Sequence, residues 1–444
     1  MTGRPAWGSE REEETMTDAE PPERSWWLWS LLGSVVLTHT ALNLARPLIS
    51  YRTIAVGGDA VEVGLVTAAY ALLPLLIAVP LGRSIDRSAR IAWIVGLGAA
   101  VLALGGLSLA LSGGLFGIAL ASTIVGVGHL LCMVAGQGLI ARYSRPGHLD
   151  RDFGWFTAAA SLGQLVGPLI SGAVLGDTSG AALLSATSVA LAVAGVTAAL
   201  GVLPLLPLAR LRPSRRAADR RDTPPVPTRD LLRQRGMPSA LLTSLALLSA
   251  VDILTAFLPL IAESRGISPM LVGVLLSLRA GSSLLSRLIL QALLRRWSRG
   301  TLIVTSTFVA AVALALVALP TGGFAVLAVV LVLGGFLLGL GQPLTMAEVA
   351  TLAPEGSRGA VLALRVWGNR LGQVAIPAAA AGVAGAVGAP GALLFSAGVL
   401  LIASVTALRS GSGDAERAAG EEPPVRRPAE GRPRRGFRSR RTER

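Results

Sequence analysis

Apolar residues run along the chain in blocks separated by short polar stretches, and a helix that crosses a bilayer needs about 20 such residues. Six blocks fill the first part, at 27–50, 60–82, 90–111, 115–141, 153–176 and 181–206. Six more fill the second, at 238–262, 267–292, 300–319, 323–349, 360–386 and 389–408. They are continuous apolar runs without strict alternation, which speaks against β-barrel strands. The expected fold is all-α, a membrane protein with twelve transmembrane helices. The blocks 267–292 and 360–386 each contain two arginines.

Charge sharpens this picture. Of 444 residues, 52% are hydrophobic and only 15% charged, against about 25% charged in soluble domains. The charged residues concentrate in 1–24, 208–236 and 409–444. What remains is too sparse to coat water-exposed domains, which excludes a soluble enzyme, a disordered protein or a nucleic-acid-binding domain as the body of the chain. Domains are expected at 25–207 and 237–408. Between them lies a basic linker at 208–236, semi-rigid around Pro224-Pro225-Val226-Pro227. The tails 1–24 and 409–444 have the Pro-, Glu- and Arg-rich composition of disordered segments. The apolar run after Arg24 is too long for a signal-peptide core and is expected to stay as the first span.

Loop charges orient the helices. Arg83, Arg87 and Arg90, then Arg142, Arg145 and Arg151, the arginines of 208–236, then Arg295, Arg296 and Arg299, and finally Arg358 all fall after even-numbered spans. The opposite loops hold little beyond Arg52, Asp59, Glu62, Asp177, Glu263 and Arg265. Both termini and the linker are therefore expected in the cytoplasm. The net charge of +14 comes from arginine without any lysine, and with 52 glycines this suggests a bacterial chain in the plasma membrane. The basic C-terminal tail suits anionic lipid. Trp26, Trp27 and Trp29 suit the membrane interface.

The two parts repeat each other. A shift of 209 positions places Val63-Gly64 on Val272-Gly273, Leu162-Gly163-Gln164 on Leu371-Gly372-Gln373, Pro168 on Pro377 and Asn43 on Asp252. A shift of 213 relates Gly126-x-Gly128-His129 to Gly339-x-Gly341-Gln342. Two pseudo-symmetric six-helix bundles follow, and parallel repeats of this kind build transporters whose substrate site lies between the halves.

At this point the sequence resembles the major facilitator superfamily over about residues 25–410. Gly82-Arg83-Ser84-Ile85-Asp86-Arg87-Ser88-Ala89-Arg90 is similar to that family's signature loop, and its second copy, Arg295 to Arg299, lacks the aspartate. The resemblance implies that Gly82, Asp86, Arg87 and Arg90 form a gating loop on the cytoplasmic side, with Arg365 and Arg370 as partners in the other half. A second stretch, Gly154-x8-Gly163-x3-Gly167-Pro168-x2-Ser171-Gly172, is similar to the antiporter motif of the drug–proton exchange branch, with Ser171 where glycine is usual. Close packing in a glycine-rich helix accounts for the same spacing.

Polar groups inside apolar spans are costly and usually functional. Asp252 is the first candidate for proton coupling, with a static pair to Arg46 or Arg279 as the alternative. His129 is the second proton candidate, and a satisfied core histidine is its bland alternative. His39, Asn43, Arg46, Arg279 and Gln342 are candidates for the substrate cavity. Pro343 is expected to break its span, and Glu348 to pair with Arg358 or Arg365.

The cysteine count is one, Cys132, and the three histidines His39, His129 and His148 lie without ligand spacing. No cofactor or metal is therefore expected. No phosphate loop of the ATP-driven kind is present. The expected partners are a small-molecule substrate, protons and membrane lipids, without nucleic acid, and the chain is taken as a monomer. The expected function is secondary-active transport by alternating access, as proton-coupled efflux of small organic molecules or drugs. The alternative on the same fold is an importer or uniporter of a polar or anionic solute.

Overall fold

A computed structural model describes residues 26–88, 90–145, 148–210, 228–320, 322–353 and 358–420. Within those stretches the side chains of 83, 85–87, 150, 209, 210, 228, 358, 359 and 411–420 lie outside the description. The expectations for Pro224 to Pro227, and for the segments 1–24 and 421–444, fall outside the described residues.

The first half comprises α1 (Trp26–Ala55), α2 (Ala60–Arg87), α3 (Ile91–Leu111), α4 (Leu115–Tyr143), α5 (Leu149–Leu175) and α6 (Ala182–Leu200). A 3-10 run (Leu203–Arg210) and the short α7 (Thr228–Arg233) follow. The second half comprises α8 (Met237–Ser264), α9 (Pro269–Leu288), the short α10 (Leu290–Leu294), α11 (Arg299–Ala318), α12 (Phe324–Thr351), α13 (Arg358–Val387) and α14 (Ala389–Gly420). Twelve of these helices are long and apolar enough to span a membrane, and no strand occurs among the described residues. In hydrocarbon only a helix or a closed barrel satisfies every backbone polar group, so long apolar runs take this form.

Both halves pack to one plan. In the first, α1 lies on α5 and α6, α2 on α4, and α3 on α4 and α6. In the second, α8 lies on α13 and α14, α9 on α12, and α11 on α12 and α14. The equivalent helices α1 and α8 are the most enclosed, with 67% and 72% of their apolar windows buried, so each is the centre of its bundle. Small residues set the close approaches. A side chain on Gly163 or Gly167 of α5 would run into the α1 backbone at Thr40 or Leu44.

Between the halves, α5 meets α9, α2 meets α13, and α1 meets α8. The starts of α1 and α8 share one end of the bundle, here called the near end, because each half has six spans. The seams close towards the far end. Gly172 of α5 lies against Met270 and Gly273 of α9, and the Met270 amide donates to the Gly176 carbonyl at 3.1 Å. Gly64 of α2 lies against Ala381 of α13. Nearer the other end, Gly82, Gly154 and Gly368 stand in open space.

Local details differ from the sequence expectations in three places. The block at 267–292 is interrupted at Ile289 and divides into α9 and α10. Pro343 does not break its span, since α12 runs through it to Thr351; the helix loses one amide there, while the flanking residues stay helical. The signature stretch is not wholly a loop. Gly82 to Arg87 form the last turns of α2, so Asp86 sits at a helix C-terminus, where the helix dipole does not favour a carboxylate.

Two arginines that the sequence showed only as loop charges hold the far end. Arg52, closing α1, donates to the carbonyls of Ala110 at 3.1 Å and Ser112 at 2.8 Å, and also to Leu184, Thr187 and Ser188 of α6. Arg265, after α8, donates to the carbonyls of Val317 and Leu319 at the end of α11. Each guanidinium satisfies the free carbonyls that end α3 or α11. Start signals are also local. Asp59 accepts from the amides of Val61 and Glu62 while Glu62 accepts from the Asp59 amide, a reciprocal cap on α2.

Candidate functional site

The midplane junction of the two halves is built by α1, α2, α4, α8 and α13. Arg46 of α1 donates from Nη2 to Oδ1 of Asp252 on α8 at 2.6 Å, joining the two halves by an ion pair. Asp252 is 4% exposed and Arg46 18%. The second carboxylate oxygen accepts from Nε2 of Gln373 on α13 at 2.7 Å. Oε1 of Gln373 in turn accepts from Arg370 at 3.0 Å. Arg370 also donates to the Tyr70 hydroxyl, and that hydroxyl lies 2.6 Å from Nδ1 of His129.

Hydrogen-bond roles follow from the groups. A guanidinium only donates, so the Tyr70 oxygen accepts from Arg370 and its own proton is free for Nδ1 of His129. The His129 ring meets His39 edge-on at 5.6 Å, and Nδ1 of His39 faces the Val35 carbonyl at 3.1 Å, so His39 donates there. The Arg46 guanidinium also lies over the Tyr70 ring at 5.1 Å, a cation–π contact. A small pocket lined by Ile49, Val66, Thr67 and Thr255 borders the ion pair.

The expected residues fall into three groups. Asp252, Arg46, His129 and His39 belong to this one cluster. Asn43 does not join it, because its amide donates to the His39 carbonyl one turn back on the same helix at 2.8 Å. Gln342 belongs to a second network, where its Oε1 accepts from Arg365 at 2.8 Å and Thr345 lies within reach of the same guanidinium. Arg279 is 6% exposed, lies near Arg46, Arg287 and Asp252, and pairs with none of them among the described residues.

Partners suggested for the gating stretch sit elsewhere. Arg370 belongs to the central chain and Arg365 to Gln342, both well inside α13. The side chains of Asp86 and Arg87 lie outside the description, and Arg90 is exposed just before α3. Glu348 lies 3.8 Å from Arg299, not on Arg365. The α5 stretch divides by position: Gly163 and Gly167 face α1, Gly172 faces α9, and Gly154 faces open space. Ser171 donates to the Pro168 carbonyl at 2.9 Å.

Sequence reasoning missed Tyr70, Arg370 and Gln373 as members of the central chain. A signal existed for Gln373, which the repeat already matched to Gln164. Arg370 was visible as a charge inside a span but was assigned to the wrong partner. Nothing in the sequence marks Tyr70.

The fold and this junction define a twelve-helix carrier of two bundles, with a polar cluster sealed between them. The family model of the Major Facilitator Superfamily matches residues 31–326 and again 252–443. The chain belongs to that superfamily and is a membrane transporter, not an enzyme.

Solved structures agree on the fold. The chain is similar to a point mutant of the nucleoside transporter NupG at 15% identity over 86% of this chain and 99% of that one, with a TM-score of 0.72. It is similar to a bacterial homolog of the human lysosomal transporter Spinster, inward-facing and occupied, at 16% identity, over 88% and 98%, with a TM-score of 0.69. It is also similar to a D-xylose–proton symporter at 13% identity, over 86% and 96%, with a TM-score of 0.70. No curated protein sequence matches the chain significantly.

Proposed function

We propose that the protein is a proton-coupled secondary transporter working by alternating access, with Asp252 as the proton-binding group. The observation that carries this reading is the Arg46–Asp252 ion pair, which crosses from one half to the other in a buried setting. While ionised, Asp252 ties the halves together. Once protonated, it no longer holds the guanidinium, and the halves are free to rock. His129 is the second proton site. Arg370 stands between it and Asp252 and gives up no proton at neutral pH, so the two sites are joined electrostatically rather than by a proton wire.

The halves 25–207 and 237–408 are the units that move. The arginine-bearing loops put the near end, both termini and the linker in the cytoplasm of a bacterial cell, with the far-end seam outside. The gating stretch Gly82, Asp86, Arg87 and Arg90 then lies on the open side, where closure would bring it to the other half. The basic tail rests on anionic lipid, and the monomer is the working unit.

Export by drug–proton exchange is supported by the α5 motif, with Gly167 and Pro168 against α1 and α9 and Gly172 in the outer seam. A tight outer seam serves import equally. Import of a polar solute is supported by the buried arginines, and the names of two similar structures, a nucleoside transporter and a D-xylose–proton symporter, accord with it. We take proton coupling as the conclusion; a solute flux driven by an inward proton gradient in proteoliposomes tests it. A flux that is unchanged when a protonophore collapses the gradient removes the coupling.

A further inference from the structure

The central charges do not balance. Arg46, Arg279, Arg287 and Arg370 converge on the junction of the halves, and Asp252 is the carboxylate among them. Three of the four arginines have acceptors. Arg46 has Asp252, Arg370 has Gln373 and Tyr70, and Arg287 has Ser161 of α5 at 3.0 Å. Arg279 has none among the described residues. Its side chain is 6% exposed, and its Nε is buried without a partner. A guanidinium carries five N–H donors and no acceptor of its own. Leaving that Nε dry and unmatched is costly. Its neighbouring carboxylate, Asp252, is already held on one oxygen by Arg46 and on the other by Gln373.

We propose that the transported solute is a small organic anion whose negative group is held by Arg279 together with Arg46, and that it travels in the same direction as the proton. The first part stands on the unpartnered guanidinium and the cationic surplus. The planar donor fork of arginine suits a carboxylate or phosphate group. The adjoining pocket presents Ile49, Val66 and Ala256 beside two threonines and Arg46.

The second part rests on the proton-coupling reading. An anion at Arg279 competes with Asp252 for Arg46. When the anion wins, Asp252 loses its counter-charge and takes up a proton. Anion and proton then favour each other's binding, and by linkage the effect is reciprocal. A cationic solute would do the reverse and drive the proton off, which is the logic of exchange. The titratable and charged groups facing Asp252 are Arg46 and His39 from α1, Tyr70 from α2, His129 from α4, Arg279 from α9 and Arg370 from α13.

Thermal unfolding of the purified full chain in detergent, at fixed ionic strength, tests both parts with benzoate and its neutral analogue benzamide as probes. The wild type should gain stability saturably with benzoate and not with benzamide. Arg279→Gln should weaken the benzoate response by roughly tenfold, the loss of one charge-assisted contact, and Arg279→Lys should keep most of it. An equal response to acid and amide, no response to either, or an Arg279→Gln titration that matches the wild type overturns the anion site. Should Arg279→Gln not fold, the acid–amide contrast in the wild type and in Arg279→Lys decides. For the direction, wild-type affinity for benzoate should rise as the pH is lowered. In Asp252→Asn it should be flat and as tight as the wild type in acid. Affinity that falls in acid overturns co-transport. A pH dependence unchanged in Asp252→Asn defeats Asp252 as the proton group and leaves the acid–amide result standing by itself.

Discussion

The two halves share a frame and differ in what they hang on it. In the first, Gly126 of α4 sits against the backbone of Tyr70 on α2. In the second, Gly335 of α12 sits against the backbone of Arg279 on α9, the same contact displaced by 209 positions at both partners. Arg52 and Arg265 close α3 and α11 in the same way. Yet at the centre of α1 stands Asn43, which donates back to its own helix, whereas at the centre of α8 stands Asp252, which reaches across to Arg46. Gln164 is half-buried on α5, and its counterpart Gln373 holds the carboxylate. The repeat sets where helices touch. Function enters where the copies cease to match, because a charge on one central helix and its counter-charge on the other make the halves depend on each other.

Breaking that dependence should give the largest effect. Arg46→Gln strands a buried carboxylate and should cost about 3–5 kcal/mol of stability at neutral pH. The double variant Arg46→Gln/Asp252→Asn should recover most of it, since no unpaired charge remains. Asp252→Asn alone should fold and should lose gradient-driven accumulation. Unfolding in detergent and flux in proteoliposomes measure the two. Equal stability of the Arg46→Gln single and the double variant would remove the pair as an energetic link between the halves.

The contrast between contacts inside a half and contacts across the seam yields the next effect. Gly167→Val would drive a side chain into α1 at Leu44, within the first bundle, and should destabilise the protein by about 1–3 kcal/mol. Gly172→Val would press instead on Met270 and Gly273 of the other half. It should leave unfolding nearly unchanged and pry the far end apart. Labelling of a cysteine placed at Ser277, buried in the same α5–α9 seam, in a background lacking Cys132, should rise several-fold with Gly172→Val and not with Gly167→Val. The opposite assignment of these two outcomes would show that α5 seals the bundle rather than the seam.

The paired arginine clamps sharpen the comparison further. Arg52 is 4% exposed and bonds to both α6 and the end of α3, while Arg265 is half-buried and meets two carbonyls. At about 1 kcal/mol for each net hydrogen bond, Arg52→Ala should cost roughly two to three times what Arg265→Ala costs. Chemical unfolding of the two variants measures it, and equal costs would mean that the extra bonds of Arg52 to α6 contribute nothing.

Most of the fold was legible in the sequence because membrane helices are written as long apolar runs. Even the close approaches at Gly163 and Gly172 were visible as spacing. The centre was less legible. Asp252, Arg46, His129 and His39 stand out as polar groups among apolar ones. Apart from Arg46 as one of two partners weighed for Asp252, the identity of their partners does not, because it depends on which faces of α2, α8 and α13 turn inward, and apolar-all-round helices carry no periodic mark of that. Arg370 was therefore assigned to the cytoplasmic stretch, three turns or more from where it sits, and Tyr70 passed as an ordinary aromatic.

Tyr70 offers the finest break in the symmetry. Its counterpart in the second half, 209 positions on, is Arg279, which only donates where the Tyr70 hydroxyl can also accept. Tyr70→Phe keeps the ring beneath Arg46 and deletes only the hydroxyl that links Arg370 to His129. Were Tyr70 mere packing, phenylalanine would be neutral in every assay. With the hydroxyl as the bridge, stability should fall by about 1 kcal/mol, and the maximal transport rate should drop several-fold while half-saturation by solute changes little. Placed in a His129→Gln background, the same substitution should cost less than it does alone, because the acceptor it served has changed. Full additivity of the two variants would mean that Tyr70 acts through Arg370 only, and that the chain ends there rather than at His129.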